Sequence, residues 1–186
     1  NVIIPSGSTV NIQTSNAVAN SVTVDAGGSL VMTGSNNLSI TAGGSFTNNG
    51  TFNATVSTGT VAFLGNGTVS GTTTFKNVDT YGALDFGTAS TINGTFTIQT
   101  GGSVTGNSPT YTCPTASLAY NTGGTYLRGL EWTTNSTGAG CPANVVIKNN
   151  TVINFPAAGQ GYVCNDLQID NGSALRQDYS GGSAIL

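Results

Sequence analysis

The nine residues Val22-Thr23-Val24-Asp25-Ala26-Gly27-Gly28-Ser29-Leu30 constrain this chain more than any other feature, because they keep returning. Related copies open at Val2 (Val2-Ile3-Ile4-Pro5-Ser6-Gly7-Ser8-Thr9-Val10), at Leu38, at Phe96 and at Leu167. Val145-Val146-Ile147 leading to Val152 is the same pattern one residue shorter. The shared form is apolar-x-apolar, a small-residue turn usually holding Gly, then another apolar residue. Alternation at period two puts the two apolar side chains on one face of a strand, and the glycines let the chain bend sharply into the next strand. The steps between copies are irregular, 20 residues from Val2 to Val22 and 22 from Val145 to Leu167. This spacing predicts an all-β, parallel β-helix or β-solenoid with slack absorbed in the turns, a β-sandwich being the alternative. At about 20 residues and 4.8 Å per turn, such a coil would run to roughly 40 Å.

One segment covering residues 1–186 is expected, with regular repeats over 1–104, an irregular aromatic-rich passage over 105–141, and repeats again over 142–186. The last residues, Gly181-Gly182-Ser183-Ala184-Ile185-Leu186, read as a turn entering another strand, so a piece of a longer protein is expected. Turn asparagines such as Asn36-Asn37 and Asn149-Asn150 suit ladders of stacked amides between turns. The irregular passage holds Tyr120, Tyr126 and Trp132. They are candidate ligand contacts for a glycan, against the alternative that they fill the core beneath a loop.

Composition narrows the function. Charged residues are 6 % of the chain, and its polar surface is built from Ser, Thr, Asn and 27 Gly. No apolar run approaches the ~20 residues of a spanning helix, so no membrane insertion is expected. Four scattered basic residues (Lys76, Arg128, Lys148, Arg176) and a net charge of −3 argue against nucleic acid. No His is present, which removes the usual general base and most zinc sites. The carboxylates are Asp25, Asp79, Asp85, Glu131, Asp166, Asp170 and Asp178. Asp25 and Asp170 fall at repeat turns, where Asp is a common turn residue, and no pair stands out for acid–base work. Scattered basic residues also fit poorly with a polysaccharide lyase, which neutralises a substrate carboxylate. We therefore expect no enzyme activity, no cofactor and no metal.

Three cysteines make an odd count. Cys141 and Cys164 lie 23 residues apart, near one repeat, so successive turns would bring them within disulfide range. Cys113 with Cys141 is the rival pairing. Ice binding asks for a flat Thr array. The outward middle positions of the copies read Ile3, Thr23, Ser39, Thr97, Val146 and Gln168, which is no clean ladder.

The repeats Asn20-Ser21-Val22-Thr23-Val24 and Gly44-Ser45-Phe46-Thr47-Asn48-Asn49-Gly50-Thr51-Phe52 resemble the long, repetitive, secreted surface proteins of Bacteroidetes. So do Asn121-Thr122-Gly123-Gly124-Thr125-Tyr126, Arg128-Gly129-Leu130-Glu131-Trp132 and Ala139-Gly140-Cys141-Pro142-Ala143-Asn144-Val145. This resemblance implies export by the type IX route, with a secretion translocon as transient partner and an extracellular, cell-surface location. It also implies a structural or adhesive role as stalk or filament building block, without a shared catalytic motif. The expected partners are neighbouring repeats of the same longer chain or other copies, with surface glycans as a further candidate. An ice- or glycan-binding module is the alternative function.

Overall fold

The computed structural model describes residues 1–13, 15–133, 135–156 and 161–177. Asp178 and the turn expected at Gly181-Gly182 lie outside the described residues.

The chain winds as a parallel β-solenoid of about eight turns. One eight-stranded sheet runs its length, formed by Asn16–Ala19, Asn37–Ile40, Thr60–Phe63, Asn77–Thr80, Thr95–Gln99, Ser117–Asn121, Asn144–Ile147 and Leu167–Ile169. A second wall is the six-stranded sheet Val2–Ile4, Val22–Val24, Gly44–Asn48, Gly67–Gly71, Ala83–Asp85 and Ser103–Val104. Between them in chain order come two three-stranded sheets. One is Thr9–Ile12, Ser29–Met32 and Thr51–Asn53; the other is Thr73–Phe75, Ser90–Ile92 and Thr110–Tyr111. In the last turns the lateral strands are Thr125–Leu127, Val152–Phe155 and Ala174–Gln177. Every strand-to-strand pairing among the described residues is parallel, the antiparallel contact being an isolated bridge between Thr110 and Ala139. That pattern is a solenoid's and not a sandwich's.

Period-two alternation builds the core. In the long sheet one inward column reads Leu38, Val61, Val78, Phe96, Leu118 and Val145, and all are buried. The parallel column reads Ile40, Phe63, Thr80, Ile98, Tyr120 and Ile147. Thr80 is tolerated there because its hydroxyl donates to Gly82 O at 2.7 Å. Phe46, Phe52 and Phe75 form an aromatic layer with centroids 5.0–5.7 Å apart. Each fully buried side chain of this kind contributes about 1.5–3 kcal/mol.

The register corrects how the copies relate. Val2 and Val22 pair in the six-stranded sheet, whereas Leu38, Phe96, Val145 and Leu167 all belong to one column of the long sheet. The Gly-Gly turn therefore serves two different corners. Gly27-Gly28 leads out of the six-stranded sheet, and Gly43-Gly44 and Gly101-Gly102 lead into it. The outward series Ile3, Thr23, Ser39, Thr97, Val146 and Gln168 is consequently drawn from two faces.

Asparagines mark the entry corner of the long sheet. Asn37 Nδ2 meets Asn16 Oδ1 at 3.4 Å, and Asn165 Nδ2 donates to Asn144 Oδ1 at 2.9 Å. Asn37 Oδ1 accepts Thr60 N and Asn77 Oδ1 accepts Thr95 N, each stitching one turn to the next. Here Asn satisfies backbone groups that the corner leaves unpaired.

Candidate functional site

Between Leu127 and Asn144 the chain makes its longest excursion, with no strand among the described residues, and it folds inward. Trp132 is 2 % exposed and Glu131 and Tyr120 are fully buried. Tyr120 owes its direction to the long sheet, where it stands between Ile98 and Ile147 in a core column. Tyr126 pairs with Ile153 and packs half-buried against Tyr120, ring centroids 5.3 Å apart. Trp132 stacks edge-on against Phe155 at 5.0 Å, and its Nε1 donates to Tyr162 O at 3.0 Å. The three candidate ligand contacts are thus mostly interior: Tyr120 and Trp132 offer no ring to solvent.

They surround a charge that sequence reading did not place among them. Glu131 Oε1 accepts the Tyr120 hydroxyl at 3.0 Å and Gly129 N at 2.8 Å, and the Tyr126 hydroxyl also bonds to this carboxylate. Tyr111 donates to the Glu131 carbonyl at 3.0 Å. Arg128 donates from Nη1 to Trp132 O and lays its guanidinium 4.7 Å from the Phe155 ring centroid. Burial pushes the Glu131 carboxyl above its ordinary range, against the hydrogen bonds that favour its ionised form. Burial and the nearby Glu131 charge push the Tyr111, Tyr120 and Tyr126 hydroxyls up. Burial lowers Arg128, while Tyr120 and Glu131 act to raise it. A perturbed acid can signal catalysis, but this one is fully buried beneath the irregular turn. Its geometry is that of a polar plug holding the irregular turn shut.

Among the described residues, the remaining carboxylates are not brought together. Asp79 faces out of the long sheet and accepts Gln99 Nε2 at 3.0 Å. Asp85 lies in the six-stranded sheet, where Oδ1 accepts Gly87 N and Asn107 N at 2.9 Å and Asn107 Nδ2 at 3.1 Å. Burial acts to raise the Asp85 carboxyl, but these three donors outweigh it and hold it below its usual value. Asp166 accepts Asn165 Nδ2, and Asp170 accepts Gln168 Nε2. Asp85 also borders a shallow trough of about 370 Å³ over Gly43, Asn66, Thr68 and Thr105, with no second ionisable group in its lining. Among the described residues no cluster of His, Cys, Asp or Glu is suited to a metal ion.

The six-stranded sheet carries an outer feature that the sequence alone did not resolve. Thr23, Thr47 and Ser70 stand in register in one column, and Ser45 with Thr68 in the next. Ser70 Oγ donates to Thr47 Oγ1 at 3.0 Å, and Ser21 Oγ accepts Ser45 N at 3.1 Å. All of these side chains are exposed or half-buried.

Cys141 Sγ and Cys164 Sγ are 3.9 Å apart, and the Cys164 thiol pushes the Cys113 thiol above its ordinary range. All three are free thiols, Cys141 buried and the others exposed. No protein-family model matches the chain, and comparison with curated proteins and with solved structures returned no match for it.

Proposed function

We propose that this chain is a non-enzymatic structural and adhesive segment of a secreted bacterial surface protein, acting as a stalk or filament building block. The observation that carries this reading is the ladder itself, one sheet of eight parallel strands with a continuous apolar core. Seven inter-strand spacings give a rod of roughly 34 Å whose strands are held by hydrogen bonds along the axis. Its outward side chains are mostly small hydroxyls and amides, a surface suited to exposure rather than to chemistry. The partners in this reading are further turns of the same longer chain or other copies. Type IX export and a Bacteroidetes source rest on the resemblance of the repeats. The test is a panel of polysaccharides and glycoproteins incubated with the purified chain, reading surface retention and release of reducing ends together. Retention without cleavage is expected, and catalytic release of reducing ends would overturn the reading.

A second reading, ice binding, is favoured by one observation: the two hydroxyl columns of the six-stranded sheet. Their members repeat at about 4.8 Å between turns and roughly 6.7 Å along a strand. Thermal hysteresis that disappears in Thr47→Tyr would establish this reading over the first.

A further inference from the structure

Two stretches of chain run side by side where the irregular excursion ends. Cys141 closes the first, just before the strand Asn144–Ile147, and Cys164 closes the second, just before Leu167–Ile169. Those strands are neighbours in the long sheet, Val145 pairing with Leu167. The stitching continues back to the cysteines. Asn165 Nδ2 donates to Asn144 Oδ1 at 2.9 Å, Asn165 N to Ala143 O at 2.9 Å and Cys164 N to Pro142 O at 3.3 Å. The two Sγ atoms stand 3.9 Å apart at the end of this ladder. Parallel neighbours ~4.8 Å apart lie inside the Cα range that a disulfide spans, so side-chain adjustment closes the contact to a bond.

Both stretches cover the same interior. A Cβ on Gly161 would stand 2.7 Å from Trp132 Nε1, and Tyr162 O accepts that Nε1 at 3.0 Å. The chain leading to Cys164 therefore lies directly on the indole. From the other side, Thr133 N donates to Gly140 O at 2.7 Å and Gly140 N to Pro109 O at 2.9 Å, which draws the end of the excursion inward to the buried Cys141. A bond between the two sulfurs ties the chain that leaves Trp132 to the chain that covers it.

We propose that Cys141 and Cys164 form a disulfide that locks the cover of the Trp132–Glu131 cluster, so that oxidation at this corner sets how firmly the irregular turn is held. Formation needs a disulfide donor such as oxidised glutathione. Cys164 is exposed and Cys141 buried, so the Cys164 thiolate attacks the donor's S–S bond first and releases one donor thiol. Cys141 then attacks the Cys164 sulfur of the mixed disulfide and releases the second. Two protein thiols are oxidised, and one donor disulfide is reduced to two thiols. The bond encloses the segment from 141 to 164 and restricts the unfolded chain most where the fold is least regular.

The test equilibrates the whole chain with oxidised or reduced glutathione, then maps linked peptides by mass after acid quenching and alkylation. Urea unfolding followed by the emission of Trp132 is measured on the same samples. A Cys141–Cys164 peptide is expected, with Cys113 outside any internal bond. The Trp132 midpoint should rise by roughly 1 M urea on oxidation. Cys113→Ser should keep that rise, and Cys141→Ser and Cys164→Ser should each abolish it, with circular dichroism confirming that every variant is folded. An internal bond through Cys113 in the native chain, or three alkylated thiols after oxidation, would overturn the proposal. So would a Trp132 midpoint that oxidation leaves unchanged, or a rise that survives in both Cys141→Ser and Cys164→Ser.

Discussion

Trp132 and Glu131 are neighbours in sequence that turn into the same interior for opposite reasons. The indole is driven in by its apolar area, and the carboxylate is accepted because Tyr120, Tyr126 and the Gly129 amide surround it. Trp132 is the chain's single tryptophan, so its fluorescence reports this site alone. Emission should be blue-shifted and scarcely quenched by iodide, and should not move when glycans are added. A red-shifted, readily quenched signal would return Trp132 to the list of surface contacts. Glu131 gives a pH prediction. Its carboxyl is raised above 4.5 in the folded chain by burial, so the folded state holds the proton more tightly than the unfolded state. The stability it contributes is fully present below about pH 4.5 and is lost as pH rises through the folded value. Glu131→Gln keeps the neutral form throughout. Melting temperatures of the two proteins should be close near pH 4.5 and should diverge above it, with the native chain falling relative to the variant. A gap independent of pH would show that the carboxylate is accommodated in its ionised form.

Among the corner elements, the Gly-Gly turns look alike in sequence and do different work. A Cβ on Gly44 would stand 1.7 Å from Asn20 O, in the backbone of the turn beneath it. A Cβ on Gly124 would meet nothing within 4 Å. Gly44→Ala should therefore cost about 3 kcal/mol or more, because one turn must lift from the next. Gly124→Ala should be neutral or stabilise by about 0.4–1 kcal/mol through the unfolded chain. Urea unfolding of the pair measures both, and equal effects would contradict the stacking at the Gly44 corner. This contrast marks the limit of what the sequence made legible. The apolar-x-apolar strand and its glycine turn were readable because each follows from local alternation and backbone freedom. Which corner a given turn occupies was not, since it depends on the turn below. Tyr120 shows a signal that went unused: Leu118-Ala119-Tyr120 followed by Gly123-Gly124 is itself a copy of the repeat, and period two already points Tyr120 inward. Arg128 to Trp132 has no such periodicity, because the loop's path decides those directions.

At the scale of the whole molecule, the strands of the first described turn behave as edge strands do in any sheet. Val2–Ile4, Thr9–Ile12 and Asn16–Ala19 each pair on one side only among the described residues. Their outward edge is accompanied by Ile3, Val10 and Val18, which are 66 %, 39 % and 65 % exposed. An unpaired, apolar, uncharged edge is a template for another strand. Residues 1–19 contain no Lys, Arg, Asp or Glu to blunt it. The 186-residue chain on its own should therefore self-associate as its concentration rises, by adding strands along the axis. Ile3→Lys with Val18→Lys places like charges on two of the three first-turn strands. Both side chains already lie largely in solvent, so the change should leave the melting temperature within a few degrees. Sedimentation velocity across a concentration series separates the outcomes. The native chain should shift to larger species, and the double variant should remain a single species of chain mass. Persistent association in the double variant would move the contact away from this end, and a monomeric native chain would show that edge pairing does not drive filament growth.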